Sequence, residues 1–320
     1  MSAAVLWVVT GCVHLPATVR AELQCVPERP NLYGGARACT AAEHAAAAQP
    51  QRARPAEVRD LPLASGQIIL IERPVPMSLY LSLMAERFAP YIHAGIVVID
   101  EGTPYVYEAF GSFGIRVTGS PADDMHGGIR RVPLKSFLRR DGFIAVFEPP
   151  PEVDRERLVQ FARDHLARKT PFDGYFDNAD ASRFYCVEFV ARALESSGGP
   201  LVPGARVTPN RSASSVLGWL KTAGPDLLLA GDLVDAQRPI WFSSRRYTRE
   251  QMEAYFGLKK ELHRRFTAQQ PLGSLFRWGW QNLEYRPLVE AYFDAGMQPG
   301  APDAQTLARL MFDGAQGPAQ

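Results

Sequence analysis

Between residues 66 and 148 the chain repeats short apolar or alternating runs, at 67–72, 93–100, 105–109, 129–134 and 143–148. Each run is bounded by Gly, Pro or Asp, and the alternation predicts strands that bury one or both faces. Only Glu101 and Gly102 separate Asp100 from Thr103. A two-residue hairpin there pairs Asp100 with Thr103, sets His93 opposite Phe110 and makes Glu108 a diagonal neighbour of His93 on one face. A five-residue loop shifts the register by one and turns Glu108 to the other face.

The period then changes. Residues 153–168 follow the Pro149-Pro150-Pro151 stop and put Leu158, Phe161, Ala162 and Leu166 at helical spacing. Residues 185–196 put Val187, Val190, Ala191 and Leu194 on one face and end at Gly198-Gly199-Pro200, a strong termination signal. Strands followed by packed helices predict an α+β domain over 61–223. Beyond it, 249–267 reads as a charged helix and 286–296 and 304–313 as shorter ones, so 224–320 is expected to be a mostly helical C-terminal extension. Residues 314–320 read as a frayed end.

The N-terminal segment carries a different pattern. Residues 1–11 are apolar and end in Val9-Thr10-Gly11-Cys12, which resembles the lipobox of bacterial lipoproteins, although no basic residue precedes it. The run is too short to span a bilayer. Residues 1–12 are therefore expected to be a signal or lipobox-like segment with Cys12 lipidated. Residues 13–60 are expected to be leader and linker, the stretch 41–55 being rich in Ala, Gln, Arg and Pro without apolar periodicity. This gives an expected location at the cell envelope, on the periplasmic face of a membrane.

Composition narrows the classes. With 320 residues, 46% hydrophobic and 22% charged, the chain has the balance of a globular protein, and a formal net charge of +1 gives no support for a nucleic-acid partner. Four cysteines divide into Cys12 for lipid, Cys25 and Cys39 for a disulfide in an oxidising compartment, and Cys186 as a free thiol. No Cys or His cluster has metal-ligand spacing, so neither a metal nor an organic cofactor is expected.

Chemistry concentrates on few residues. Cys186 falls in the first turn of a helix, where the helix dipole and unpaired amides favour a thiolate and offer donors to an oxyanion. His93 opens an apolar strand and suits a base, with Glu108 to hold its tautomer. Tyr185 and Tyr175 suit the lining of a substrate cleft or a hydrogen bond to the oxyanion, although an aromatic before a buried helix more often serves packing.

Four segments together resemble a known family: Gly66-Gln67-Ile68-Ile69-Leu70, Tyr91-Ile92-His93-Ala94-Gly95-Ile96-Val97-Val98, Tyr107-Glu108-Ala109 and Phe184-Tyr185-Cys186-Val187-Glu188-Phe189-Val190. They are similar to the YiiX/YebB-like proteins, a circularly permuted branch of the NlpC-type, papain-like superfamily related to the lecithin retinol acyltransferase-like proteins. In that family a strand-borne His and a Glu on the next strand precede the helix-borne Cys. The resemblance implies catalytic roles for His93, Glu108 and Cys186 and a permuted papain-like core. Two departures stand beside them, Gln67 where the family has Asp and Val187 where Ser is common. The implied activity is a cysteine hydrolase or acyltransferase acting on an amide or ester, with cell-wall peptide (peptidoglycan) or acyl lipid as substrate. A non-catalytic, membrane-tethered binding or scaffold module that keeps the fold is the alternative. Trp241, Phe242, Trp278, Trp280 and Tyr285 interleave with Arg245, Arg246, Arg277 and Arg286, a mixture that suits either a membrane interface or packing of the extension on the core.

Overall fold

The structure is a computed structural model that describes residues 62–113, 125–139, 142–208, 226–235, 238–244, 246–270, 272, 274–278 and 283–313. Cys12, Cys25, Cys39 and the expected segments 1–12 and 13–60 lie outside the described residues. The strands are β1 Ile68–Glu72, β2 His93–Asp100, β3 Thr103–Phe113, β4 Met125–Pro133, β5 Phe143–Phe147, β6 Ala205–Arg206, β7 Asp226–Leu227, β8 Trp241–Ser244, β9 Phe276–Trp278 and β10 Leu283–Tyr285. The helices are α1 Pro76–Leu83, α2 Leu134–Phe137, α3 Arg155–Ala167, α4 Cys186–Ser196, α5 Arg249–Thr267, α6 Pro287–Gly296 and α7 Ala304–Ala308.

Six strands form one antiparallel sheet in the order β4-β3-β2-β1-β5-β8. β1 is buried along its whole length because both faces are covered, which is why it reads as an unbroken apolar run. Ile68 and Leu70 pack with Leu158 and Ala162 of α3 and Phe189 and Val190 of α4. Ile69 and Ile71 face the other way, toward Leu134 and Phe137 of α2. Asp154 caps α3 by accepting from the amides of Glu156 at 3.0 Å and Arg157 at 3.2 Å. The fold is the α+β arrangement expected, with an antiparallel sheet and a helix opening at Cys186.

Glu101 and Gly102 form the two-residue turn, at φ of 48° and 77°, and the register sets Asp100 opposite Thr103 and Ile96 opposite Tyr107. Gly127 supplies a close approach further along. A Cβ on it would lie 2.0 Å from the Phe110 carbonyl oxygen, and its φ of 146° suits glycine.

The expected boundary near 223 falls among residues that are not described. The chain after it enters the same sheet, since β8 pairs with β5 from Phe143 opposite Ser244 to Val146 opposite Trp241. A second apolar cluster joins Leu79 and Leu83 of α1 and Phe143 of β5 to Tyr255, Leu258 and Leu262 of α5, Tyr292 and Phe293 of α6, and Leu307 of α7. Thr248 and Gln251 close a reciprocal capping box at the start of α5. The expected 304–313 helix divides into α7 and a π-helical turn, Arg309–Asp313. Trp241 packs under the sheet and Tyr285 in the second cluster, so these two aromatics serve packing. Trp280 lies outside the described residues.

Candidate active site

Three neighbouring elements meet at one end of the sheet. β2 begins with His93, opposite Ile71 of β1. β3 runs beside it and carries Glu108, whose side chain is fully buried. α4 packs across β2 and β3 with Cys186 as its first residue, Tyr185 standing before it in an extended conformation. Amides of a first helical turn have no acceptor within the helix. The Cys186 amide is one of these, and it sits beside its own sulfur.

His93 Nε2 lies 2.6 Å from Glu108 Oε2. That contact leaves Nδ1 available, and the Cys186 sulfur lies close enough to act on the charge of the imidazole. Partial burial works against the imidazolium, but the Cys186 sulfur and the Glu108 carboxylate outweigh it and lift the His93 pKa to about 9. The thiol also reaches the Ile92 carbonyl oxygen, at 3.7 Å. His93 thus holds its proton at neutral pH, between a sulfur and a carboxylate.

A fourth group, absent from the sequence reading, completes the chain of contacts. β3 and β4 pair with Glu108 opposite Arg130. Arg130 Nε donates to Glu108 Oε1 at 2.8 Å, and Nη2 lies 2.7 Å from the same oxygen. The guanidinium also stands over the Phe110 ring, 3.4 Å from its centroid. Each Glu108 oxygen therefore faces a different cationic partner, and its carboxylate cannot rotate away from His93 without breaking both contacts.

Glu188, in the first turn of α4, was likewise not anticipated. Its side chain is fully buried, with Arg192 Nε at 3.7 Å. Burial pushes its pKa up to about 8 against the pull of Arg192.

Of the two tyrosines expected in a cleft, Tyr185 is buried. Its hydroxyl donates to Asn178 Oδ1 at 2.8 Å and accepts from the Leu228 amide at 3.0 Å. This corrects the expectation of a cleft-lining group: the ring braces the start of α4 and its hydroxyl is occupied by the fold. Tyr175 is half-buried, with the Arg183 guanidinium 5.8 Å from its ring centroid. Among the described residues no group of three His, Cys, Asp or Glu is arranged to hold a metal ion, and no helix is long and apolar enough to cross a membrane.

Residues 62–215 match the family described as permuted papain-like amidase enzyme, YaeF/YiiX. The α+β core of this chain belongs to that family. It is therefore the core of a cysteine hydrolase in the broad sense. Among solved structures, the metalloprotein yiiX from Escherichia coli O157:H7 is similar at 19% identity and a TM-score of 0.42, over 57% of this chain and 98% of its own. None of the curated proteins matches the chain. The match ends before α5, so the family core leaves α5 to α7 unassigned.

Proposed function

We propose that the protein hydrolyses an amide bond of a peptide substrate through a covalent Cys186 thioester. The observation that carries this reading is the 2.6 Å contact between His93 and Glu108, on the two strands across which the helix opening at Cys186 packs. The Cys186 thiolate attacks the carbonyl carbon, forming a C–S bond while the carbonyl π pair moves to oxygen. The Cys186 amide faces the resulting oxyanion. The intermediate collapses, the C–N bond breaks, and the leaving amine takes the proton held on His93. Water then gives a proton to the neutral imidazole and attacks the thioester, releasing the carboxylic acid and the thiolate. Glu108 acts throughout by fixing the imidazole and stabilising its charge.

The family is one of amidases, which supports an amide over an ester, and the lipobox-like run ending at Cys12 supports attachment to a membrane at the cell envelope. Cell-wall peptides are the amide substrates such a location offers. The test is incubation with cell-envelope peptide fragments, with mass spectrometry of products and of the Cys186 peptide. Release of a new carboxylate and amine, with a transient acyl mass on Cys186 that Cys186→Ala abolishes, is expected. Products that appear unchanged with Cys186→Ala would overturn the nucleophile assignment, and no turnover by intact protein that binds the fragments would favour a binding module.

A further inference from the structure

The start of β2, which carries the base, is held from outside the family core. Lys259 lies on α5, and its ammonium and the Glu72 carboxylate are both fully buried. Lys259 Nζ donates to Glu72 Oε1 at 2.8 Å, to Ser78 Oγ at 3.1 Å and to the Pro90 carbonyl oxygen at 3.2 Å. An ammonium has three protons, and each has an acceptor here. Ser78 Oγ and the Tyr255 hydroxyl, the latter at 3.0 Å, donate to the same Glu72 oxygen.

Each end of this cluster abuts the catalytic geometry. Glu72 follows Ile71, which pairs with His93 and whose carbonyl oxygen accepts from the Ile92 amide at 3.0 Å. Pro90 precedes by two residues Ile92, whose carbonyl oxygen faces the Cys186 thiol at 3.7 Å. One ammonium thus ties the edge of β1 to the segment that enters β2. Stability alone does not account for such a group. Two charges removed from water lose hydration that their attraction does not reliably return, and an apolar pair of the same volume often serves stability as well or better. Glu72 Oε2 has no hydrogen-bond partner among the described residues, which adds to that cost.

We propose that Lys259 is a positioning residue for His93, through which the segment beyond the family core sets the geometry of the thiol and its base. The proposal rests on the thiol-hydrolase reading above. It is specific about mechanism: the ammonium fixes the 90–92 backbone, and through it the distance from His93 to Cys186.

Two double variants of the full chain separate geometry from stability. Glu72→Leu with Lys259→Met replaces the ion pair by apolar groups and keeps the packing, whereas Glu72→Gln with Lys259→Gln keeps an N–H donor for the Pro90 carbonyl. For each, circular dichroism and thermal unfolding report the fold, and mass spectrometry of the Cys186 peptide gives its rate of alkylation by iodoacetamide across pH. The wild type is expected to react faster than a peptide thiol at about pH 6, where an unperturbed thiol is almost wholly protonated. The folded apolar pair is expected to lose about tenfold of that rate, and the amide pair to stay within about threefold of wild type, since displacements near 1 Å at a reacting centre have effects of this order or larger. A folded apolar pair that labels like wild type across pH would overturn the positioning role and leave the thiol reading intact. A wild-type Cys186 no more reactive than the peptide thiol would overturn both.

Discussion

Glu108 and Glu72 sit on strands of one sheet, both fully buried and both facing cations, yet they do different work. Glu108 divides its oxygens between His93 and Arg130, and those partners keep 18% and 38% of their side chains exposed. Its charge reaches the mouth of the site and can follow a proton. Glu72 gathers Lys259, Ser78 and Tyr255 on one oxygen, in a region where Lys259 is wholly buried. Burial raises the Glu72 pKa and lowers that of Lys259, against their mutual attraction. The pair cannot exchange protons with solvent without opening the seam between the sheet and α5. A buried carboxylate becomes catalytic machinery when its partner is a titratable group at an opening, and scaffold when its partner is a fixed cation in the interior.

The largest difference between the two regions should appear on removal of the reacting groups. Cys186→Ser and His93→Ala are expected to lower kcat/KM by about 10³-fold or more, since neither group has a substitute. Both should leave the thermal midpoint near that of wild type. A variant of either kind that keeps a tenth of the wild-type rate, or one that unfolds, would break the division drawn between site and seam.

Next in size is the effect of unpairing the seam. Lys259→Met alone leaves Glu72 buried without its cation, and should cost about 3–5 kcal/mol of stability, measured by denaturant unfolding. The measurement fails the comparison if the loss stays below about 1 kcal/mol, the range of an exposed ion pair.

These two regions differ also in how far they were legible in sequence. β2, β3 and their two-residue turn follow from apolar alternation around Glu101 and Gly102, and once that register is fixed His93 and Glu108 share a face. α5, Arg249–Thr267, has the bounds of the charged helix read at 249–267, and Thr248 and Gln251 cap its start. Arg130 was not readable. Its place opposite Glu108 depends on the β3–β4 register, and nothing in the 114–124 stretch dictates one. Lys259 was hidden more deeply: a lysine on a charged helix looks solvated, and its partner lies 187 residues away. α1 escaped because Ser78 and Ser82, both buried, break its apolar pattern. β8 read as part of a helical appendage because four residues carry too little periodicity to announce a strand.

A smaller effect is expected from Glu108→Gln, and its sign is informative. Glu108 helps hold the His93 proton up to about pH 9, so the alkaline limb of kcat/KM should lie near that pH in the wild type. An amide keeps one hydrogen bond but no charge. The rate should fall by about 10- to 100-fold, less than for the loss of nucleophile or base, and the limb should move to lower pH. An unchanged limb with an intact fold would reduce Glu108 to a buried neighbour of His93.

The smallest effect tests the far end of the chain of contacts and carries the opposite sign. Arg130 is partly exposed, so its ion pair with Glu108 is screened by water and contributes on the order of 1 kcal/mol or less. Its positive charge also opposes the imidazolium beyond the carboxylate. Arg130→Met keeps apolar contact with Phe110 while removing that charge, so His93 should hold its proton slightly more tightly and the alkaline limb should shift upward. The rate should fall by less than about tenfold, through a less firmly oriented Glu108. Arg130→Lys should restore the charge and the limb but only part of the rate, because an ammonium lacks the planar fork that meets Glu108 through two nitrogens. Limbs that move in the same direction for Glu108→Gln and Arg130→Met would show that both act by disturbing the fold, and would remove Arg130 from the site.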